Sequence, residues 1–299
     1  MSIEVKSVTK TYGSQLALNN VSFSIGSSEI VGFLGPNGAG KSTMMKIITS
    51  YIPQTEGSVK VCGFDNLDND LDVKRNIGYL PEHNPLYLEM YVKEYLEFVA
   101  KLYKIPKSRI DEMIQLTGLE REYKKKIQSL SKGYRQRIGL AQALIHDPKV
   151  LILDEPTTGL DPNQLVEIRD LIRNVGKEKT VMLSTHIMQE VEAICDRVII
   201  INQGNLVADA GTSELKNLKN NQQILSVGFN ETVESSFLTS IPGVNNVKRD
   251  TNGRWKVYFS AEVDVRQALF QKTVEQGKYL THLELKDKNL EEVFHSLTK

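Results

Sequence analysis

Gly35-Pro36-Asn37-Gly38-Ala39-Gly40-Lys41-Ser42, followed by Thr43, is the stretch on which the reading of this chain turns. It fills the pattern G-x-x-x-x-G-K-[ST] at every fixed place. Residues 29–34 form a short apolar run that reads as a strand, and the residues after Lys41 read as a helix. Strand, glycine loop and helix in that order are the context in which the pattern carries chemistry. Glycine lets the backbone curl until its N–H groups and the helix N-terminus face one point, a cradle for phosphate oxygens. Lys41 is then placed to pair with β- and γ-phosphates, and the Ser42 hydroxyl to ligate Mg2+.

Working outward, residues 150–155 (VLILDE) read as a buried strand ending in two adjacent carboxylates. Asp154 is a candidate to hold Mg2+, directly or through water, and Glu155 to polarise an attacking water. Residues 3–8 and 21–25 also read as strands, as do 180–183 and 197–201, with helices between the later ones. Such alternation predicts a mostly parallel α/β sheet with helices outside. Helical spacing at 91–103 and 107–116, interrupted by Pro106, and again at 133–145, predicts a helical insert over about 83–145. Near residues 211–223 (GTSELKNLKNNQQ) the composition turns polar. The order that follows is strand 224–229, helix 232–240, strands 244–249 and 254–260, helix 264–276, strand 280–286 and helix 290–297. It predicts a small ferredoxin-like α+β domain over 222–299, without a catalytic constellation.

Composition narrows the partners. Lys and Arg number 37, as do Asp and Glu, so no global field favours nucleic acid or anionic lipid. Cys62 and Cys195 stand far apart, and the five histidines show no metal spacing, so Mg2+ is the one metal implied. The opening MSIEVKSVTK lacks an apolar signal core, and no apolar run approaches the ~20 residues of a membrane helix. The expectation is a chain that is soluble alone or held at a membrane by a partner.

Between the two phosphate-site motifs lies Leu130-Ser131-Lys132-Gly133-Tyr134-Arg135-Gln136-Arg137, which resembles the LSGGQ signature of ABC ATPases. Gly159-Leu160-Asp161 is similar to that family's D-loop, His186 to its switch histidine, Glu82 to the glutamine of its Q-loop, and Tyr12 to the aromatic residue that stacks on adenine. The resemblance covers about residues 1–215 and implies an ATP-hydrolysing P-loop domain. It also implies a head-to-tail homodimer, in which Ser131 and Gly133 of one copy contact the γ-phosphate held by Lys41 of the other. In that arrangement His186 donates to the γ-phosphate and Glu82 offers Mg2+ an oxygen. Chemistry agrees, since a hydroxyl and a helix N-terminal N–H suit an anion. Tyr12 by its chemistry alone fits either base stacking or surface packing.

Two motifs depart from the family pattern. Lys132 and Tyr134 replace the usual glycine and glutamine, and Lys132 either adds positive charge near the phosphate or points to solvent. Glu82 replaces glutamine and so adds a negative charge. The segment over 83–119 corresponds to the family's groove for a membrane subunit, and Tyr87, Tyr91, Tyr95, Phe98 and Tyr103 either line that groove or fill the core. Lys124, Lys125 and Lys126 read as a solvated face.

The stretch YLPEHNPLY, the signature and the C-terminal LEEVF resemble ATPase subunits of ABC-2-type exporters, including those associated with gliding motility. The expected partners are therefore transmembrane permease subunits at the inner face of the membrane, with no nucleic acid. The rival expectation is a soluble ABC switch acting on ribosomes or DNA. One cassette and no sustained heptads count against it.

Overall fold

A computed structural model describes residues 1–185, 187–215, 222–250, 253–260, 263–286, 294, 297 and 298. His186 and most of the helix expected at 290–297 lie outside the described residues. The chain forms two units, Met1–Thr212 and Ser213–Leu297.

In the first unit, in chain order, are β1 (Ile3–Tyr12), β2 (Gln15–Ile25), β3 (Ile30–Leu34), α1 (Lys41–Ile48), β4 (Glu56–Val61), β5 (Phe64–Asp65), α2 (Asp70–Asn76) and β6 (Ile77–Leu80). They are followed by α3 (Val92–Tyr103), α4 (Ser108–Leu116), α5 (Lys132–Leu144), β7 (Val150–Asp154) and α6 (Pro162–Gly176). The unit closes with β8 (Thr180–Ser184), α7 (Met188–Ile194), β9 (Arg197–Asn202) and β10 (Asn205–Gly211), and a short α8 (Thr212–Leu215) follows.

Every residue of β3, β7 and β8 is buried, so these strands have no polar face to give to water and need cover on both sides. They occupy the middle of a six-stranded sheet ordered β10-β9-β3-β8-β7-β6, parallel except for β10 at its edge. The strands expected at 3–8 and 21–25 do not join it. β1 and β2 pair antiparallel and form a second sheet, β2-β1-β4-β5. Their burial is one-sided over much of their length, which suits a sheet with one face in the core and one in water. Phe23 and Phe33 meet across that core with ring centroids 5.6 Å apart, and Met44, Met45, Ile47 and Ile48 of α1 are fully buried in it. Each such side chain contributes roughly 1.5–3 kcal/mol of transfer free energy.

Of the five aromatic residues of the insert, Tyr95, Phe98 and Tyr103 lie on α3, and Tyr87 and Tyr91 precede it. Only Tyr95 among the five is core: it is 4% exposed, its hydroxyl donates to Gln142 Oε1 at 2.6 Å, and burial pushes its pKa up to about 12. Tyr87, Tyr91, Phe98 and Tyr103 all remain exposed, with Tyr87 packed on Tyr95 and Phe98. The lysine run faces water at Lys124 and Lys125, the latter paired with Glu122 at 2.8 Å.

The second unit contains β11 (Gln222–Phe229), α9 (Ser235–Thr239), β12 (Val244–Arg249), β13 (Trp255–Ser260), α10 (Val265–Glu275) and β14 (Leu280–Lys286). Its antiparallel order β12-β13-β11-β14 is the split βαβ arrangement of a ferredoxin-like sheet. Leu225, Val227, Val257 and Phe259 form a core with Phe237 and Leu238 of α9 and Val265 and Leu269 of α10. Helix α9 is shorter than the expected 232–240, because Glu234 is extended and the helix starts only after it.

Candidate functional site

Strands β3, β8, β7 and β6 are consecutive and parallel, so the loops leaving their carboxyl ends converge on one edge of the sheet, where ligands of such sheets bind. The glycine loop leaves β3. Gly38 and Gly40 have φ of 79° and 109°, a left-handed backbone that side chains resist. A Cβ on Gly35 would stand 2.3 Å from the Ile201 carbonyl oxygen. These glycines are therefore required by the path of the chain, which delivers the loop to the start of α1. Helix α1 has no side-chain cap and no acidic residue in its first turn, so its N-terminal N–H groups keep their attraction for an anion.

Lys41 folds back over the loop, donating to the carbonyls of Gly35 at 2.7 Å and Pro36 at 3.1 Å. Burial lowers its pKa, while Glu155, Asp154 and Glu82 oppose that shift. One ammonium thus sits within the field of three carboxyl groups from two neighbouring strand ends. Asp154 is 4% exposed and its Oδ1 accepts from the Ser184 hydroxyl at 2.5 Å. The Glu155 N–H donates to the carbonyl and hydroxyl oxygens of Ser184, and Thr158 donates to Glu155 Oε2 at 3.0 Å. Glu155 has φ of 51°, a strained conformation costing on the order of 1–3 kcal/mol, which these bonds hold in place. No group of three or more His, Cys, Asp or Glu among the described residues could hold a metal unaided.

A second group of candidate residues surrounds the N-terminus of α5. Ser131 is the N-cap, its hydroxyl accepting from the Tyr134 N–H at a long 3.4 Å. Arg135 anchors the loop before it, donating to Ile127 O at 3.2 Å and Gln128 O at 2.7 Å. Gly133 is buried against Gln164, whose amide would stand 2.3 Å from a Cβ placed there. Asp161 caps α6, its carboxylate accepting from the N–H groups of Asn163 and Gln164. Lys132 lies across Gly159, with its Nζ 2.6 Å from where a Cβ on that glycine would be. Between the two groups runs the segment after Glu82, where Asn84 Nδ2 donates to Arg135 O at 3.1 Å. Tyr12, at the end of β1, is 47% exposed, with Lys10 Nζ 5.1 Å from its ring centroid.

Comparison with known proteins assigns the family. The ABC transporter family profile matches residues 18–158. The uncharacterized ABC transporter ATP-binding protein YxlF of Bacillus subtilis (strain 168) is 34% identical over 298 residues, covering 98% of each chain. This chain belongs to the ABC transporter ATP-binding proteins. The bacitracin transport ATP-binding protein BcrA of Bacillus licheniformis is 33% identical over 299 residues, covering 99% of this chain and 96% of its own. The dimeric structure of the ATP-binding cassette MJ0796 in its post-hydrolysis state, bound to ADP and Pi, matches with a TM-score of 0.64. It is 30% identical and covers 70% of this chain and 98% of that one. The chain thus carries an ABC ATPase domain, and the protein is an ATPase.

Several contacting residues carry no motif of their own. Ser184, Thr158 and Gln164 stand on or beside the site through their contacts alone. Ser184 had a faint signal, a hydroxyl at the polar end of an otherwise buried strand. Gln164 had none, because only folding brings it to Gly133. Among the described residues, no helix is long and apolar enough to cross a membrane.

Proposed function

We propose that this protein is the ATP-hydrolysing subunit of an ABC-2-type exporter and works as a head-to-tail homodimer against separate transmembrane subunits. The observation that carries this reading is the convergence of Lys41, Asp154, Glu155 and Glu82 at the carboxyl ends of adjacent parallel strands, together with a signature helix whose N-cap is the Ser131 hydroxyl and whose first turn carries no acidic residue.

In this reading Gly35, Pro36, Asn37, Gly38, Ala39 and Gly40 wrap the phosphates with backbone N–H groups. Lys41 exchanges its loop carbonyls for phosphate oxygens, and Thr43 continues the cradle in the first turn of α1. Ser42, Asp154 and Glu82 would hold Mg2+; the oxygen-only donors, with phosphate and water completing the shell, fit that ion's preference. The metal's chemistry is to neutralise charge on the phosphate oxygens. Glu155, half-buried and fixed by Ser184 and Thr158, orients and deprotonates the water. His186 donates to the γ-phosphate. Ser131, Gly133 and Asp161 of the second copy close over the nucleotide, while Tyr12 stacks on adenine, a contact of roughly 1–3 kcal/mol.

Residues 1–215 form the ATPase domain and 222–299 an accessory domain. The exposed Tyr87, Tyr91, Phe98 and Tyr103 offer the membrane subunits an aromatic surface on the insert. The likeness to a bacitracin transport ATP-binding protein supports a role in transport; in this reading the protein works at the inner face of the membrane, without nucleic acid. A link to gliding motility rests on overall likeness of sequence. Replacing Glu155 by Gln tests the chemistry: turnover measured by phosphate release should fall by on the order of 10²-fold or more while nucleotide still binds. Unchanged turnover would remove Glu155 as the base.

A further inference from the structure

Glu190, on α7, is 1% exposed. A carboxyl group is buried to that depth only where specific bonds hold it. Its Oε2 accepts a short hydrogen bond from the Thr157 hydroxyl. Thr157, itself 1% exposed, lies two residues past Glu155 on the loop leaving β7. Glu190 itself stands four residues past His186, on the helix α7 that follows the end of β8. The other oxygen, Oε1, has no hydrogen-bond partner among the described residues, and Arg169 Nη2 of α6 stands 3.9 Å from it. Burial pushes the carboxyl pKa up, Thr157 and Arg169 oppose this, and the charge of Glu155 adds to it. Neither the phosphate contacts nor the metal donors nor the attack of water uses this group.

Its place explains its burial. The ladder between β7 and β8 ends at the pair Asp154 and Ser184, and the last backbone bond across it runs from the Glu155 N–H to the Ser184 carbonyl. Past it, side chains must keep the two loops together. Ser184 does so at the base, bonding Asp154 and the Glu155 N–H. Glu190 does so one step further out, joining Thr157 of one loop to helix α7, into which the other loop leads. We propose that Glu190 is a positioning residue for ATP hydrolysis, its carboxyl group holding the loop that carries Glu155 in register with the segment that carries His186. The inference rests on the roles given above to Glu155 and His186. It adds that the relative placement of the two is set by a buried carboxyl group touching neither nucleotide nor metal.

Steady-state ATP hydrolysis by the full-length protein, resolved into kcat and KM and accompanied by thermal unfolding, tests it. Glu190→Ala should lower kcat by roughly tenfold or more, with KM for ATP within about twofold of the unmodified protein, because misplacing catalytic groups costs rate rather than ground-state binding. Thr157→Val should do the same. The double variant should be no slower than the slower single one, since both changes break one link. Glu190→Gln keeps an acceptor for Thr157 and should retain kcat within about threefold, a rescue that a purely structural role does not require. If Glu190→Ala fails to fold, Thr157→Val and Glu190→Gln decide by themselves. The proposal is overturned if Glu190→Ala or Thr157→Val keeps normal kcat, if the two losses multiply, or if Glu190→Gln is as slow as Thr157→Val. Failure of the wider reading would look different, as normal hydrolysis by Glu155→Gln.

Discussion

The two units are built from the same materials and arranged to opposite effect. Each has a sheet with buried apolar side chains and helices packed on it. In the first unit, four neighbouring parallel strands end at one edge, so their ends and the segments that follow bring Lys41, Glu82, Asp154 and Ser184 to one place. In the second unit, neighbouring strands are antiparallel, and successive ends point to opposite edges. Its polar contacts are exposed pairs such as Lys278 with Glu231 at 2.6 Å and Arg266 with Asp264 at 2.8 Å. Parallel pairing collects chemistry, and antiparallel pairing disperses it. On the reading proposed above, the reaction belongs to the first unit.

The comparison can be broken most severely at Lys41. Lys41→Ala removes the ammonium from the glycine loop, and ATP affinity measured by titration calorimetry should fall by about tenfold or more, since a charge-assisted contact of about 1.5–3 kcal/mol is lost. Next comes removal of the second unit. A chain ended after Lys216 should fold and keep ATP turnover within about threefold, because no residue of the proposed site lies beyond that point. A folded but inactive product would show that the second unit contributes to the chemistry. A cavity at Phe259, buried at 1% in the core of the second unit, should cost that unit about 3–5 kcal/mol on Phe259→Ala while leaving KM for ATP unchanged. The smallest effect belongs to the surface: Lys125→Ala, which breaks the pair with Glu122, should shift stability by less than about 1 kcal/mol.

The motifs were legible because phosphate chemistry fixes residue types at fixed spacing. Gly35, Gly40, Lys41 and Ser42 could be read one after another, as could Asp154 and Glu155 at the end of a wholly apolar strand. The ferredoxin-like order of the second unit was legible for a related reason, since alternation of strand and helix signals carries topology. The separate antiparallel sheet was not. β1 and β2 read as strands, but nothing local says which sheet a strand joins, and β4 and β5 lie in a stretch whose strand signal is weak. The partners of the site were hidden for the same reason. Gln164 against Gly133, Lys132 over Gly159 and Thr157 on Glu190 are contacts between segments that folding alone brings together. Lys132, open in the sequence between a phosphate contact and solvent, reaches the loop of its own chain that precedes Asp161.

The central claim is that the phosphate site of one copy is completed by Ser131 and Gly133 of another. Light scattering of Glu155→Gln with and without ATP, beside the double variant Glu155→Gln with Ser131→Arg, tests it most directly. The account predicts that ATP doubles the mass of the first protein and leaves the second at its nucleotide-free mass although it still binds ATP. Equal doubling of both, or of neither, would contradict it.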